Sequence, residues 1–350
     1  MLDIKLLRED PEAVRKGLKD RGGRSLSDFE KALQLDKRWR EVLTELEQLR
    51  ARRNQAAGEI AKLKKEKKDA IPLIKEMEDL KSRYKAQEDL ERTRKEELEN
   101  VLLELPNIPH STVPIGLGEE ANVLVRENGT IPSFSFKPKD HHDLGTQLGI
   151  LDFESAAKLS GSAFAIYKGA GAKLERALAN FMLDLHTNEI GYKEIATPYL
   201  VTAETMTHTG QLPKFEDDLY KTSIENLYLI PTSEVSLANL FQDQALSPED
   251  LPQAVTAFTP CFRREAGSYG KDVRGLIRNH QFNKVELVRI CTMEESLKEL
   301  EILTQHAEEV LKRLELPYRV MALCSGDLGF ASTKTYDLEV WMPGYNKYRE

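Results

Sequence analysis

From Leu35 onward, apolar residues recur alternately four and three positions apart: Leu35, Trp39, Val42, Leu46, Leu49, Arg53, Ala56, Ile60 and Leu63, with Arg53 the one polar interruption. That spacing is the heptad seam of a coiled coil. Ser27 followed by Glu30 has the form of a capping box, and beyond it no glycine occurs before Gly58 and no proline before Pro72. A helix from Asp28 to Lys68 is predicted, about 60 Å long at ~1.5 Å per residue. After a turn at Asp69 to Pro72 the spacing resumes with Leu73, Met77, Leu80, Tyr84, Gln87, Glu91, Arg94, Leu98, Val101 and Leu105. A chain that reverses there pairs the seams antiparallel. Leu63 then faces Leu73, Ile60 faces Met77, Ala56 faces Leu80, and Arg53 meets Tyr84 as a cation over an aromatic face. Nearer the body, Val42, Leu46 and Leu49 would meet Arg94, Glu91 and Gln87, and bending or mobility is expected there. A coiled-coil dimer would use the same seam, but the short reversing turn favours a hairpin within one chain.

Leu105-Pro106-Asn107-Ile108-Pro109 ends the helical pattern, because proline lacks the amide donor and biases its predecessor toward extended geometry. The domains are expected to be 1–105, a helical arm, and 106–350. In the second, Asn128-Gly129 has the form of a hairpin turn, Ala172 to Glu189 that of an amphipathic helix, and later segments that of strands joined by Gly- and Pro-containing turns. Strands and helices do not alternate strictly, and neither GxGxxG nor GxxxxGK[ST] is present, so a Rossmann or P-loop site is not supported. The fold class is α+β.

Composition adds three limits. With 40% hydrophobic and 31% charged residues over 350, the chain can bury a sizeable core. No apolar stretch approaches a membrane span or a signal peptide, so a cytoplasmic location without membrane contact is expected. Cys261, Cys291 and Cys324 lie far apart and give no disulfide framework or structural zinc spacing. The net charge of -8 argues against a nucleic-acid partner until its distribution is considered. Between Arg50 and Lys68 eight basic residues stand against two acids. Such a local surface can bind phosphates on an acidic protein, although a solvated helix face has the same composition.

Three constellations in the second domain can carry chemistry. The helix ending at Gly191 runs into Tyr192-Lys193-Glu194-Ile195-Ala196-Thr197-Pro198, a common arrangement by itself. Next, Phe262-Arg263-Arg264-Glu265 is followed by a glycine-rich stretch and by Arg278-Asn279-His280-Gln281-Phe282-Asn283-Lys284-Val285-Glu286. Strand alternation would put Arg263 and Glu265 on one face, and Phe282, Lys284 and Glu286 on one face of the following strand. Arginine forks suit phosphates, the ring can stack on a base, and a carboxylate can accept from an exocyclic amine. Gly267, Gly270 and Gly275, with Lys271, Asp272 and Arg274, would form a mobile loop at the mouth. Finally, Thr232-Ser233-Glu234 follows the apolar strand Leu227 to Ile230, and its residues could cap a helix or face a ligand.

Gly191-Tyr192, Ile195 and Pro198 resemble motif 1 of the class II aminoacyl-tRNA synthetases. Phe262-Arg263-x-Glu265 with Arg278-x-x-x-Phe282 resembles motif 2. With Thr232-Ser233-Glu234 and the helical hairpin, the chain resembles the bacterial-type seryl-tRNA synthetases over essentially its full length. Ser233 stands where many of them carry Ala. The resemblance implies a core with a mainly antiparallel sheet flanked by helices, and a serine-tRNA ligase that forms seryl-adenylate from serine and ATP. It assigns Arg263 to the α-phosphate, Glu265 to the adenine amine, Arg278 to the outer phosphates and Phe282 to adenine stacking, with Arg264 in the same ATP-binding segment. Thr232, Ser233, Glu234 and Glu286 would surround L-serine, and Glu350 would hold Mg²⁺ on the ATP phosphates. Arg50, Arg53, Lys62, Lys64, Lys65 and Lys68 would bind tRNA(Ser), and also tRNA(Sec), in a homodimer formed through motif 1. Motif 3 has no counterpart before Glu350, so the expected catalytic domain is incomplete and these 350 residues alone are expected not to finish the reaction. The alternative is a non-catalytic tRNA-binding relative, against which Arg263, Arg278, Phe282, Glu234 and Glu286 argue.

Overall fold

A computed structural model describes residues 2–266 and 274–350. Gly267, Gly270, Lys271 and Asp272 of the expected mouth loop lie outside the described residues. The helices are α1 (Ile4–Glu9), α2 (Pro11–Asp20), α3 (Leu26–Lys65), α4 (Ile71–Leu103), α5 (His141–Gln147), α6 (Phe153–Ser160), α7 (Ala170–Asp184), α8 (Ala203–His208), α9 (Glu234–Ala238) and α10 (Ser296–Arg313). The strands are β1 (Val123–Asn128), β2 (Leu151–Asp152), β3 (Ile166–Tyr167), β4 (Lys193–Glu194), β5 (Leu200–Val201), β6 (Tyr228–Leu229), β7 (Gln253–Phe262), β8 (Gln281–Ile290), β9 (Tyr318–Ala322), β10 (Tyr336–Met342) and β11 (Lys347–Arg349). The chain forms two compact units, Met1–Ser111 with Phe330–Thr333, and Thr112–Gly329 with Lys334–Glu350.

In the first unit α3 and α4 form the predicted helical hairpin. Its base is an apolar cluster in which Leu7, Val14, Leu18, Phe29, Ala32, Leu98 and Leu105 are almost fully buried. Farther out, Ala56 and Leu80 are buried on the seam, and Arg53 lies over the Tyr84 ring at 4.4 Å. The helix starts at Leu26 behind Ser25, with no side-chain cap, so the Ser27/Glu30 capping box does not form. Glu30 instead accepts from Arg15 at 2.8 Å, a charge-assisted bond that the box would forgo. Nearer the base the register also differs from the expected one. Gln87 donates to the Val42 carbonyl and to Glu45, and Glu91 accepts from the Trp39 indole at 2.7 Å. These polar seam residues take polar partners where Leu46 and Leu49 would offer none, and both helices run unbroken through the stretch. At the tip, Lys67 in the left-handed region (φ 55°) ends α3, and the Lys68 amide closes on the Leu63 carbonyl.

The second unit is α+β and built mainly on antiparallel pairing, as expected. One sheet has the order β1-β9-β10-β11, and another β4-β7-β8, in which β4 is parallel to β7. Its central feature is the ten-residue hairpin pair β7 and β8, with Cys261 opposite Phe282 and Ala257 opposite Glu286. Asn128-Gly129 does not make a hairpin, because β1 pairs with the distant β9. Gly129, at φ 81°, is needed where the backbone passes Pro317, whose Cα a side chain at this position would meet at 3.0 Å. The expected amphipathic helix is present as α7, continued by a π-helical turn Leu185–Ile190 and stopped by the left-handed Gly191. The chain then enters β4, and Ile195 extends its pairing to Thr256.

Candidate active site

The end of the β7–β8 hairpin opens into a cavity of about 980 Å³ in the second unit, lined by Arg263, Glu265, Arg278, Phe282 and Glu350 among others. Arg263 is fixed from three directions. Its amide donates to the His280 carbonyl, its own carbonyl faces His280 Nδ1, and its Nε donates to the Pro231 carbonyl at 3.2 Å. Its guanidinium lies 5.1 Å from the Phe282 ring centre. Strand alternation does not place Glu265 beside it, because β7 stops at Phe262 and Glu265 sits in the left-handed region at φ 51°. A turn brings it to the cavity instead. Asp218 accepts from the Arg264 amide with its carbonyl and from the Ala266 amide with its carboxylate, both at 2.8 Å. Glu265 then pairs with Arg278 at 3.2 Å. Asp218 has no recognisable spacing relative to the motif and could not be found from sequence. Arg264 is exposed and does not line the cavity.

The Thr232-Ser233-Glu234 segment enters next to this corner. The Phe262 amide bonds to the Ile230 carbonyl, so the segment leaves from the edge of β7. Thr232 Oγ1 donates to Glu286 Oε2 at 2.6 Å and accepts from Lys284 Nζ at 3.0 Å. The capping reading holds only in part: the Glu234 amide reaches Thr232 Oγ1 at 3.3 Å, while Ser233 makes no side-chain cap. Ser233 is fully buried and its hydroxyl has no hydrogen-bond partner. Solvent reaches Glu234, yet crowding by the surrounding protein and then the Glu286 charge raise its pKa, opposed by Lys284 and Arg263.

At the other side of the cavity stand Glu350, Asp327, Asp337 and Glu339. Burial first, then the charges of Glu350, Asp327 and Glu339, push the Asp337 carboxyl up to about 7. A divalent cation such as Mg²⁺ would relieve this repulsion and takes hard oxygen donors of this kind, but these four carboxylates do not converge as a ready-made cluster, and Glu339 already pairs with Arg319. Among the described residues, Asp140, His142 and Asp143 do bring donor atoms within 4.8 Å of one another, but Arg274 already pairs with both aspartates. Among the proposed tRNA-facing residues, Arg50, Lys62, Lys64, Lys65 and Lys68 are exposed, whereas Arg53 is half-buried against Tyr84. No helix among the described residues is long and apolar enough to cross a membrane.

Arg263, Glu265, Arg278 and Phe282 line one cavity at the end of the β7–β8 hairpin, the placement that the resemblance to motif 2 of the class II aminoacyl-tRNA synthetases implies. The sequence model of the class II core domain (G, H, P, S and T) matches residues 214–350. The seryl-tRNA synthetase N-terminal domain matches residues 1–109, and a serine–tRNA ligase of Listeria welshimeri is 53% identical over all of this chain and 82% of its own length. The chain belongs to the seryl-tRNA synthetase family, and its activity is that of an ATP-dependent serine–tRNA ligase. Two solved structures agree over the whole chain. The Pyrococcus horikoshii seryl-tRNA synthetase complexed with ATP has a TM-score of 0.92 at 38% identity, with 83% of its chain covered. The cytoplasmic enzyme of Naegleria fowleri complexed with AMP has a TM-score of 0.85 at 28% identity, with 84% covered.

Proposed function

We propose that Arg263, Glu265, Arg278 and Phe282 bind ATP beside a serine subsite made by Thr232, Ser233, Glu234 and Glu286, and that the helical hairpin recognises the tRNA to be charged. The observation that carries this reading is the bond from Arg263 Nε to the Pro231 carbonyl. It sets the arginine proposed for the α-phosphate one residue from the hydroxyl proposed for serine. Serine's carboxylate then attacks the α-phosphorus, and pyrophosphate leaves. The protein contributes position and a preorganised cation for the charge that develops. Phe282 stacks on adenine, Glu265 accepts from its amine, and Arg278 holds the outer phosphates. Thr232, Glu234 and Glu286 receive the ammonium and hydroxyl of serine. A site that bonds a substrate hydroxyl rejects an analogue lacking it by roughly 10⁴-fold or more, because its own groups are stranded. Arg264 contributes only through its backbone in this arrangement.

Glu350, with Asp337 nearby, would hold Mg²⁺, which supplies charge neutralisation for the ATP phosphates. Arg50, Lys62, Lys64, Lys65 and Lys68 offer exposed cations to a tRNA backbone, while Arg53 serves the hairpin first. By family likeness the accepting tRNAs are tRNA(Ser) and tRNA(Sec), the assembly is a homodimer through the Gly191–Pro198 segment, and the location is cytoplasmic. ATP–pyrophosphate exchange with serine, threonine and alanine tests the substrate. Serine-dependent exchange alone is expected, and equal exchange with alanine would remove the hydroxyl recognition on which the subsite rests.

A further inference from the structure

The groups proposed to receive serine are tied together by a residue outside all the motif assignments. Lys284 lies on β8 two residues after Phe282 and two before Glu286, so all three side chains share one face. Its Nζ donates to Thr232 Oγ1 at 3.0 Å and lies 2.9 Å from Glu286 Oε2. Thr232 Oγ1 donates to that same carboxylate oxygen. Ammonium, hydroxyl and carboxylate close a three-membered ring, and its carboxylate is only 17% exposed.

We propose that Lys284 is a positioning residue of the serine subsite: it orients Glu286 and Thr232 toward the substrate and sets a positive charge against the carboxylate of Glu286 in the corner it shares with Glu234. The inference rests on the placement of serine in this subsite. Two carboxylates in one crowded corner compete for a proton unless a cation stands between them. The charged and titratable groups around them are Lys284 on β8, Arg263 just past β7, and Cys261 on β7. Burial pushes the Cys261 thiol up, so it stays neutral and adds no further negative charge to the corner. Arg263 is committed to the Pro231 carbonyl and the Phe282 ring. Lys284 is therefore the cation in direct contact with Glu286. Without it, a carboxylate that takes up a proton presents a donor where the serine ammonium needs an acceptor.

The test is ATP–pyrophosphate exchange against pH with the full chain carrying Lys284→Met, Lys284→Arg or Glu286→Gln. For Lys284→Met the serine KM is expected to rise roughly tenfold or more. The ATP KM should stay within about twofold of wild type, and the acid limb of kcat/KM for serine should move up by about one pH unit. Lys284→Arg should return the acid limb while leaving the serine KM raised, since its planar fork cannot occupy the same point. An unchanged serine KM and acid limb in Lys284→Met would overturn the proposal. So would serine and ATP KM values rising together with a loss of thermal stability shared by Met and Arg, the mark of a purely structural ion pair. Should Lys284→Met fail to fold, Lys284→Arg decides alone, and a wild-type serine KM in it overturns the proposal. Glu286→Gln separates the two readings. If it leaves the serine KM unchanged, the serine subsite itself is misplaced; if it raises the KM and Lys284→Met does not, only the role of Lys284 falls.

Discussion

The Arg53 guanidinium lies 4.4 Å from the centre of the Tyr84 ring and joins the two long helices where their seam is not apolar. The contact makes a half-buried charge part of the hairpin. Tyr84→Ala should therefore destabilise it by about 1 kcal/mol beyond the area lost, within the range of partly desolvated cation–π pairs. Hydrogen exchange of the amides flanking Arg53 reads this directly. Faster exchange there, with unchanged protection near Phe29 and Leu98, is the expected outcome.

Arg263→Ala and Arg278→Ala should each cost adenylate formation at least ~2 kcal/mol of transition-state stabilisation, as for loss of a preorganised donor. Arg278 also pairs with Glu265, so Arg278→Ala should raise the ATP KM as well, by freeing the carboxylate proposed to accept from adenine. Serine-dependent exchange at the wild-type rate in both variants would remove them from the site.

Charge reversal at Lys64, Lys65 and Lys68 should weaken tRNA binding and flatten its salt dependence, because fewer counterions are released. Serine activation should not change. A filter-binding titration at several salt concentrations, run beside pyrophosphate exchange, distinguishes this from a general loss of folding.

His186 is 2% exposed and packs edge-on against Tyr192, whose hydroxyl bonds to His306 Nδ1. Burial, then the neighbouring His306, push its pKa down to about 4. The native state thus takes up fewer protons than the unfolded chain between about pH 6.5 and 4, and its stability falls as pH drops through that window. His186→Phe should flatten this acid limb. Thermal melts at pH 5 and pH 7 suffice, and an equal pH dependence in both proteins would exclude His186 as its source.

The hairpin was legible because a heptad seam repeats one physical requirement many times over. The pairing of Arg53 with Tyr84 followed from register alone. Its base was not legible, since the choice of Trp39 and Glu45 as partners for Glu91 and Gln87 depends on side-chain reach rather than spacing. In the second unit, Arg263, Arg278 and Phe282, singled out by their motif, line one cavity. Glu265 arrives by a left-handed turn pinned by Asp218, and local alternation cannot encode that route. Lys284 was visible only as one of three same-face residues, because its role depends on Thr232, which lies 52 positions away in the chain.

The four residues Phe330–Thr333 belong to the first unit. There the Phe330 and Thr333 carbonyls receive the Asn107 and His110 amides, Ala331 receives the Asn107 side chain, and Ser332 receives Arg21. On a ribosome the helical hairpin emerges long before this closing segment, which lies more than ~200 residues farther along the chain than the end of α4. The seam of α3 and α4 can zip as soon as both helices are out, but the Asn107 and His110 donors at the base of the unit must wait until Phe330–Thr333 has been made. Completion of the helical unit is in this way tied to synthesis of the intervening stretch Thr112–Gly329, so that a nascent chain does not present a finished arm before the β7–β8 hairpin and its neighbours have been made.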